Sequence, residues 1–198
     1  MNETVHENLH RQLAETAVEA ARIARGVTPE QLSGPTPCTE FDTRTLINHW
    51  ILYTSYGLVH RARREQMSEE LQQRDFTAAA DWAGDYAAEL GRAVEAWGDP
   101  AAWTGPVDLG GAEMTTVQVV SLNFADLVLH GWDVAKATGQ EYHCSDATAE
   151  LIFGIVEENA ELYRQYKGFA EPVEVPATAS AFDRALALSG RDPNWSLA

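Results

Sequence analysis

Apolar residues recur every three or four positions along most of this chain, which is the pattern of amphipathic α-helices. The spacing predicts helices over residues 3–25, 43–64, 75–97, 115–139 and 145–167, with a shorter one over 179–188. Gly26, an Asp42 N-cap and a left-handed Gly139 mark three of the helix ends. Residues 103–113 have β-like composition, and the Gly110-Gly111 pair suits a tight turn. We therefore predict an all-α antiparallel bundle with additional short helices and at most a small hairpin, in a single domain over residues 1–198.

The helix predicted over 115–139 is apolar on nearly every side, and a single narrow stripe of polar residues follows its length. At 3.6 residues per turn, the stripe holds Asn123, Asp126, His130 and Asp133. Such a stripe is also what an otherwise buried helix would present to water. However, residues 115–132 contain no Lys, Arg or Glu, the long charged side chains that a solvated helical face normally carries. The stripe is therefore a candidate functional face.

Asp126 and His130 are metal ligands by residue type, and they stand at positions i and i+4 of this helix. That spacing separates them by about 6 Å along the helix axis, so a carboxylate oxygen and an imidazole nitrogen can meet at one ion. An isolated pair of this kind is a weak signal, because short motifs often arise by chance.

A third candidate ligand, His49, lies on the helix predicted over 43–64. The residues that share its face are mostly aliphatic or aromatic: Thr45, Leu46, Leu52, Tyr53 and Tyr56. A buried imidazole needs a polar partner. A backbone carbonyl or a tyrosine hydroxyl would serve as well as a metal ion, so both interpretations stay open. His60, eleven residues further on, falls on the same face about 16 Å along the axis and is interpreted as a surface residue.

Composition limits the classes of partner. The chain carries 14 Lys and Arg against 30 Asp and Glu, a net charge of −16. This balance argues against a protein that tracks nucleic-acid phosphates or binds an anionic membrane surface, because both depend on cationic side chains. We therefore expect a small-molecule substrate, no nucleic acid and no membrane, with a homodimer as a possible assembly of the bundle.

Location and redox state follow from the termini and the cysteines. The first 15 residues are polar and acidic rather than signal-like, and no segment approaches 18 consecutive apolar residues, so we expect a cytoplasmic protein. Two cysteines are too few for a disulfide scaffold. Cys38, near a helix start, is open to a lowered pKa from the helix terminus, although a packed structural thiol is the favoured interpretation.

Three stretches carry a family resemblance: TPCTEFDTRTLINHW (36–50), ADLVLHGWDVAKATGQ (125–140) and FDRALALSGRDPNW (182–195). In order and separation they resemble the DinB-like superfamily, specifically its actinobacterial branch of mycothiol-dependent maleylpyruvate isomerase-like proteins. The resemblance implies a four-helix bundle with a divalent metal, usually zinc or nickel, between its helices. By position, it implies His49, Asp126 and His130 as the metal ligands. The isomerase itself has a further C-terminal domain, and we expect this chain to end about where that domain would begin.

Two imidazoles and one carboxylate form a catalytic rather than a structural type of metal site, because one coordination position stays open. We therefore expect an enzyme that activates a low-molecular-weight thiol, mycothiol by resemblance, for transfer to a small electrophile or for its isomerisation. Tyr53 and Tyr56 are candidates for lining the substrate pocket, with ordinary packing as the alternative. Asp133, one turn beyond His130, is either a support for the ligand sphere or a carboxylate at the helix surface, and its position favours the latter.

Two other functions fit the same residues. A hydrolase would use the metal to activate water against a small substrate, with no need for a thiol. A non-enzymatic bundle would bind a small ligand, or another copy of itself, with or without a metal. The sequence alone leaves these alternatives open.

Overall fold

The structure is a computed structural model that describes residues 4–108, 111 and 113–197. Its α-helices are α1 (Val5–Arg25), α2 (Thr43–Ile51), α3 (Gly57–Arg63), α4 (Glu69–Gln72), α5 (Trp82–Gly98), α6 (Thr116–Ala137), α7 (Asp146–Gln165) and α8 (Ala181–Leu188). A π-helical turn (Leu52–Tyr56) joins α2 to α3, and 3₁₀ turns occur at Pro29–Ser33, Phe76–Ala78 and Pro100–Trp103. The two strands are β1 (Pro106–Asp108) and β2 (Glu113–Thr115). The all-α prediction is confirmed.

Four helical segments form the bundle. Helix α1 packs against α5 and α6, while the continuous α2–α3 segment packs against the same two helices from the other side. Polar atoms at the contacts are paired: the Trp50 indole on α2 donates to the Leu127 carbonyl on α6 (3.1 Å), and the Trp97 indole on α5 donates to the Leu58 carbonyl on α3 (3.0 Å). Helix α7 lies against α6 and α1, and it carries α8 on its outer side. This arrangement places α6 in the interior.

The helix starts follow the capping rules. Thr4 and Glu7 form a capping box at the start of α1. Asp42 accepts from the Thr45 amide (2.8 Å) at the start of α2, as the sequence predicted. Gly139, just after α6, has the predicted left-handed conformation, with φ of 69°.

The helix predicted over 75–97 is wrong at its N-terminal end. The chain makes a 3₁₀ turn at Phe76–Ala78, and α5 begins only at Trp82, with Asp81 as its N-cap. Asn48 on α2 explains the break, because its side chain accepts from the Phe76 amide (2.7 Å) and donates to Asp75 (3.0 Å). These bonds use a backbone donor and fix the approach to α5 outside helical geometry.

The helix predicted over 43–64 is nearly correct in its limits, but its middle contains the π turn. The Gly57 amide donates to the Leu52 carbonyl, five residues earlier, as the π pattern requires. Side chains satisfy nearby carbonyls: Thr54 Oγ1 donates to Trp50 (2.6 Å), and Asn123 on α6 donates to Tyr53 (3.3 Å). The turn adds one residue to the helix, so every face beyond it is rotated relative to α2.

The small hairpin is also confirmed. Strands β1 and β2 pair antiparallel, with Val107 opposite Met114. Gly111 has a φ of 110°, whereas Gly110, the other half of the predicted glycine turn, lies outside the described residues. In the described part of the chain, no helix combines the length and the apolar character needed to cross a bilayer.

Helix α1 offers a matched test of its buried face. Leu13 is fully buried, whereas Val18 on the same helix is 73% exposed. We expect Leu13→Ala to lower the free energy of unfolding by about 2–5 kcal/mol, because it leaves a cavity in the core. Val18→Ala should change it by less than about 0.5 kcal/mol. Urea denaturation followed by circular dichroism measures both, and equal effects would contradict the packing of α1.

Candidate metal centre

Three side chains from two helices converge in the bundle. His49 on α2 and Asp126 and His130 on α6 each offer a ligand atom, and these atoms all lie within 4.8 Å of one another. The imidazole rings of His49 and His130 meet edge to face, with their centroids 5.0 Å apart. The structure therefore brings together the three residues that the sequence proposed as ligands. Their role as metal ligands stays a prediction.

His130 is held by a buried network that includes the C-terminal segment. Its Nδ1 atom lies 3.0 Å from Asp133 Oδ2. Arg191 donates two hydrogen bonds to the same carboxylate, from Nε to Oδ1 (2.9 Å) and from Nη2 to Oδ2 (2.8 Å). An ionised carboxylate only accepts hydrogen bonds, so the His130 Nδ1 atom carries a proton and Nε2 is the ring nitrogen left for a metal ion. This is the arrangement that orients a histidine toward a metal ion.

The interpretation of Asp133 as a surface carboxylate is wrong, because its side chain is fully buried. Burial alone would raise the pKa of Asp133, but the Arg191 guanidinium and the hydrogen bond from His130 hold that pKa below its ordinary value. Asp133 is therefore an ionised, fully paired carboxylate whose lone pairs serve Arg191 and His130.

The protonation states suit a cation site. Burial, with a smaller contribution from His130, lowers the pKa of His49 to about 4, so His49 is neutral at pH 7 and its lone pair is available. Burial raises the pKa of Asp126, against the opposing effects of His130, Arg61 and Arg191. A carboxyl group that is costly to ionise when buried gains most from a nearby cation. Two imidazole nitrogens and one carboxylate oxygen match the ligand set of a divalent metal such as zinc.

A second group of possible ligands shares His130. Cys38, His130 and Asp133 also place their ligand atoms within 4.8 Å of one another. Both oxygens of Asp133 already accept from Arg191, however, and the guanidinium charge beside them opposes a second cation. Burial, followed by the charge of Asp133, raises the pKa of Cys38, so the proposed lowering by the helix terminus is wrong. This group is the weaker candidate.

A cavity of about 240 Å³ adjoins the three convergent residues. Its lining comprises His49, Tyr53, Arg61, Val119, Leu122, Asn123, Asp126 and Tyr163. Tyr53 thus lies where the sequence placed it, with its ring 4.7 Å from the ring of His49. The structure does not bring Tyr56 to this cavity: Tyr56 stacks on Phe76 and lines a separate surface hollow together with His60.

The π turn explains which residues reach the cavity. In an unbroken α-helix, Tyr56 and His60 would lie within about 20° of the His49 face, and Arg61 about 120° away. The additional residue of the π turn rotates Tyr56 and His60 away from the His49 face and brings Arg61 onto it. The predicted shared face of His49 and His60 is therefore wrong. Hydrophobic periodicity gives no sign of a single inserted residue, so the sequence offered no route to Arg61.

Two further residues escaped the sequence analysis. Tyr163 on α7 stands at helical spacing among apolar residues, which carries no sign of a site, yet it lines the cavity. Arg191 stands in the GRDPNW segment, directly after Gly190, whose φ is 84°. In the sequence, the only signal that this segment offered was a glycine directly before the arginine.

Comparison with protein families assigns this chain to one of them. The model of the mycothiol maleylpyruvate isomerase N-terminal domain matches residues 13–135, more than half of the chain. The chain belongs to this family. The match includes the three convergent residues and Asp133, whereas Arg191 and Tyr163 come from the part of the chain beyond it.

Relatives from Mycobacterium tuberculosis cover almost the same length. Uncharacterized protein MT0763 of strain CDC 1551 and Uncharacterized protein Rv0738 of strain H37Rv are each 27% identical over 176 residues. That alignment covers 86% of this chain and 91% of each relative. No solved structure matches the chain.

The buried ion pair of Asp133 and Arg191 should contribute to the stability of the fold. Asp133→Asn removes the charge opposite a buried arginine, and we expect it to lower the free energy of unfolding by about 3–5 kcal/mol. The double variant Asp133→Asn/Arg191→Gln should recover part of this loss, because no unpaired charge remains. Thermal and chemical denaturation measure both effects.

Asp85→Asn, at an exposed aspartate in the first turn of α5, is the matched control and should cost less than about 1 kcal/mol. A double variant that is less stable than Asp133→Asn alone would show that the two residues do not act as a pair.

Proposed function

We propose that this protein is a divalent-metal-dependent enzyme that activates a low-molecular-weight thiol, of the mycothiol type, against a small electrophile. The thiol either becomes bonded to the electrophile through its sulfur or assists the isomerisation of the electrophile. The observation that carries the proposal is the convergence of His49, Asp126 and His130 beside a cavity, with His130 oriented by a buried carboxylate.

Each residue of the candidate metal centre has a defined task in this proposal. His49 and His130 would hold the metal through neutral imidazole nitrogens, and Asp126 through its carboxylate. Asp133 and Arg191 fix the orientation and tautomer of His130. A divalent cation held by three protein ligands keeps an open position and lowers the pKa of a thiol bound there, so that the thiolate forms at neutral pH.

The cavity walls favour a small ligand. Tyr53 and Tyr163 supply aromatic surface, and Val119 and Leu122 supply aliphatic surface. A volume of about 240 Å³ is below the roughly 300–1,000 Å³ typical of pockets for drug-sized ligands. It therefore suits a small electrophile, or only the reactive end of a larger thiol. The description of the family supports mycothiol as the thiol.

The metal site has a direct test. Protein purified without an affinity tag should contain close to one divalent metal ion per chain, zinc or nickel, by elemental mass spectrometry. His49→Ala, Asp126→Ala and His130→Ala should each remove most of it, because two ligands rarely retain a metal that needs three.

His60→Ala is the matched control for the metal test, since His60 stands on the continuation of the same helix but donates to the Tyr56 carbonyl and lines another hollow. It should keep the metal. Retention of the metal by the three ligand variants would contradict the proposal, and so would its absence from the wild type after incubation with zinc and nickel.

The thiol requirement has a separate test. The metal-loaded protein is incubated with a panel of small electrophiles, with and without mycothiol, and the products are followed by mass spectrometry. We expect conversion only with the thiol, and a fall of at least about 100-fold in His130→Ala, because the position for the thiol is then lost. Conversion in thiol-free buffer would instead identify a hydrolase. No conversion in either arm would favour a bundle that only binds a ligand.

A further inference from the structure

Two buried polar atoms without a hydrogen-bond partner belong to residues that line the cavity beside the candidate metal centre. They are a donor, Nη1 of Arg61, and an acceptor, Oδ1 of Asn123. Buried polar atoms in folded proteins nearly always have a partner, because desolvation without a hydrogen bond is costly. Among the described residues, the other atoms in this state are on Gln12, Thr16 and Arg184, none of which lines this cavity. Two residues of the cavity wall thus each keep one polar atom without a hydrogen-bond partner among the described residues.

The position of the Arg61 side chain depends on two local features. The π turn directs Arg61 to the face of the helix that carries His49 and Tyr53. Gly57 then leaves room for the guanidinium against the helix backbone, since a Cβ atom at position 57 would overlap Arg61 Nη1. The guanidinium is therefore held against the helix at the cavity wall.

The charge on Arg61 narrows the class of ligand. A guanidinium stays protonated in proteins, so its partner at neutral pH is best an anion. Asp126 is the acidic residue that lines the same cavity. Its interaction with Arg61 is electrostatic, without a hydrogen bond between the two side chains. A cation bound by Asp126 would take up the charge of that carboxylate. Arg61 would then face the cavity as an uncompensated positive charge, and the cavity would be positive as a whole.

We propose that Arg61 is a ligand-anchoring residue, and that the ligand of this cavity carries a carboxylate group that binds Arg61. The planar fork of a guanidinium matches the two oxygens of a carboxylate. Asn123 Oδ1 accepts a hydrogen bond from an N–H or O–H group elsewhere on the same ligand. The charge argument rests on the proposed function, because it takes Asp126 as a metal ligand, whereas the unpartnered atoms of Arg61 and Asn123 do not depend on that function.

Two thiols of matched size, one with a carboxylate and one with the uncharged amide, test the proposal. Metal-loaded protein is titrated with 3-mercaptopropionate and with 3-mercaptopropionamide by isothermal titration calorimetry. The wild type should bind the carboxylate about tenfold more tightly or better, because it gains a charge-assisted hydrogen bond. In Arg61→Gln this preference should disappear, with the affinity for the amide and the metal content unchanged. Arg61→Lys should retain part of the preference, because it keeps the charge without the fork.

Arg63→Gln is the matched control, since it removes the same charge from an exposed position on the same helix. It should leave the preference intact. The melting temperature of Arg61→Gln in the absence of ligand should be no lower than that of Arg63→Gln, because Arg61 Nη1 has no hydrogen bond to lose. Equal binding of the two thiols by the wild type, or a preference that persists in Arg61→Gln, would overturn the proposal.

The failure of the proposed function would be distinguishable from the failure of this inference. If the protein holds no metal or binds neither thiol, the thiol-activating function fails. Propionate and propionamide are then compared on the wild-type protein by the ¹⁵N NMR signal of the Arg61 side chain, which is assigned by its loss in Arg61→Gln. A shift with propionate alone would support the anion site without the metal, and equal responses to both would overturn it.

Discussion

Helix α6 is buried over most of its surface, so a polar side chain on it is costly unless it finds a partner. The rest of the structure is arranged around this requirement. Asp133 cannot reach water and is paired with Arg191, which the chain delivers from its C-terminal segment after α8. The same carboxylate accepts a hydrogen bond from Nδ1 of His130. The need to pair one buried carboxylate therefore ties the C-terminal segment to the bundle and fixes the orientation of a candidate ligand.

The polar residues of α6 separate into two groups with different physical states. Toward the C-terminus, Asp133 forms a closed network in which donors and acceptors are matched, and such a network resists rearrangement. Toward the N-terminus, Asn123 has an acceptor atom without a partner, and it lines the same cavity as Arg61, whose Nη1 atom also lacks one. His130 lies between them. The closed network is suited to positioning, and the open side is suited to binding a ligand.

The π turn gives the second helical segment two faces that a regular helix could not combine. Before the turn, α2 directs His49 toward α6. After it, α3 directs Arg61 into the same cavity, while Tyr56 and His60 face another hollow. The irregular backbone needs support, and side chains such as Thr54 and Asn123 donate to its carbonyls. Single π turns persist where the rotation of a side chain serves the protein, which is why they are frequent at functional sites.

The family resemblance supplied His49 as a partner for Asp126 and His130, and the structure showed that the three converge. The sequence by itself determined the helical class, most helix ends and the shared helix face of Asp126 and His130. These features depend on periodicity, on capping residues and on fixed spacing within one turn of helix, all of which are local. Only the tertiary structure decided the partner of Asp133, the break before α5 and the presence of Arg61 in the cavity. The pairing of Asp133 with Arg191 joins residues far apart in the chain, and the break depends on a side chain from another helix. The π turn inserts one residue without altering the apolar pattern. Local sequence carries no record of contacts that form only when the helices pack, and for that reason the ligand-binding side of the site became visible only in the folded chain.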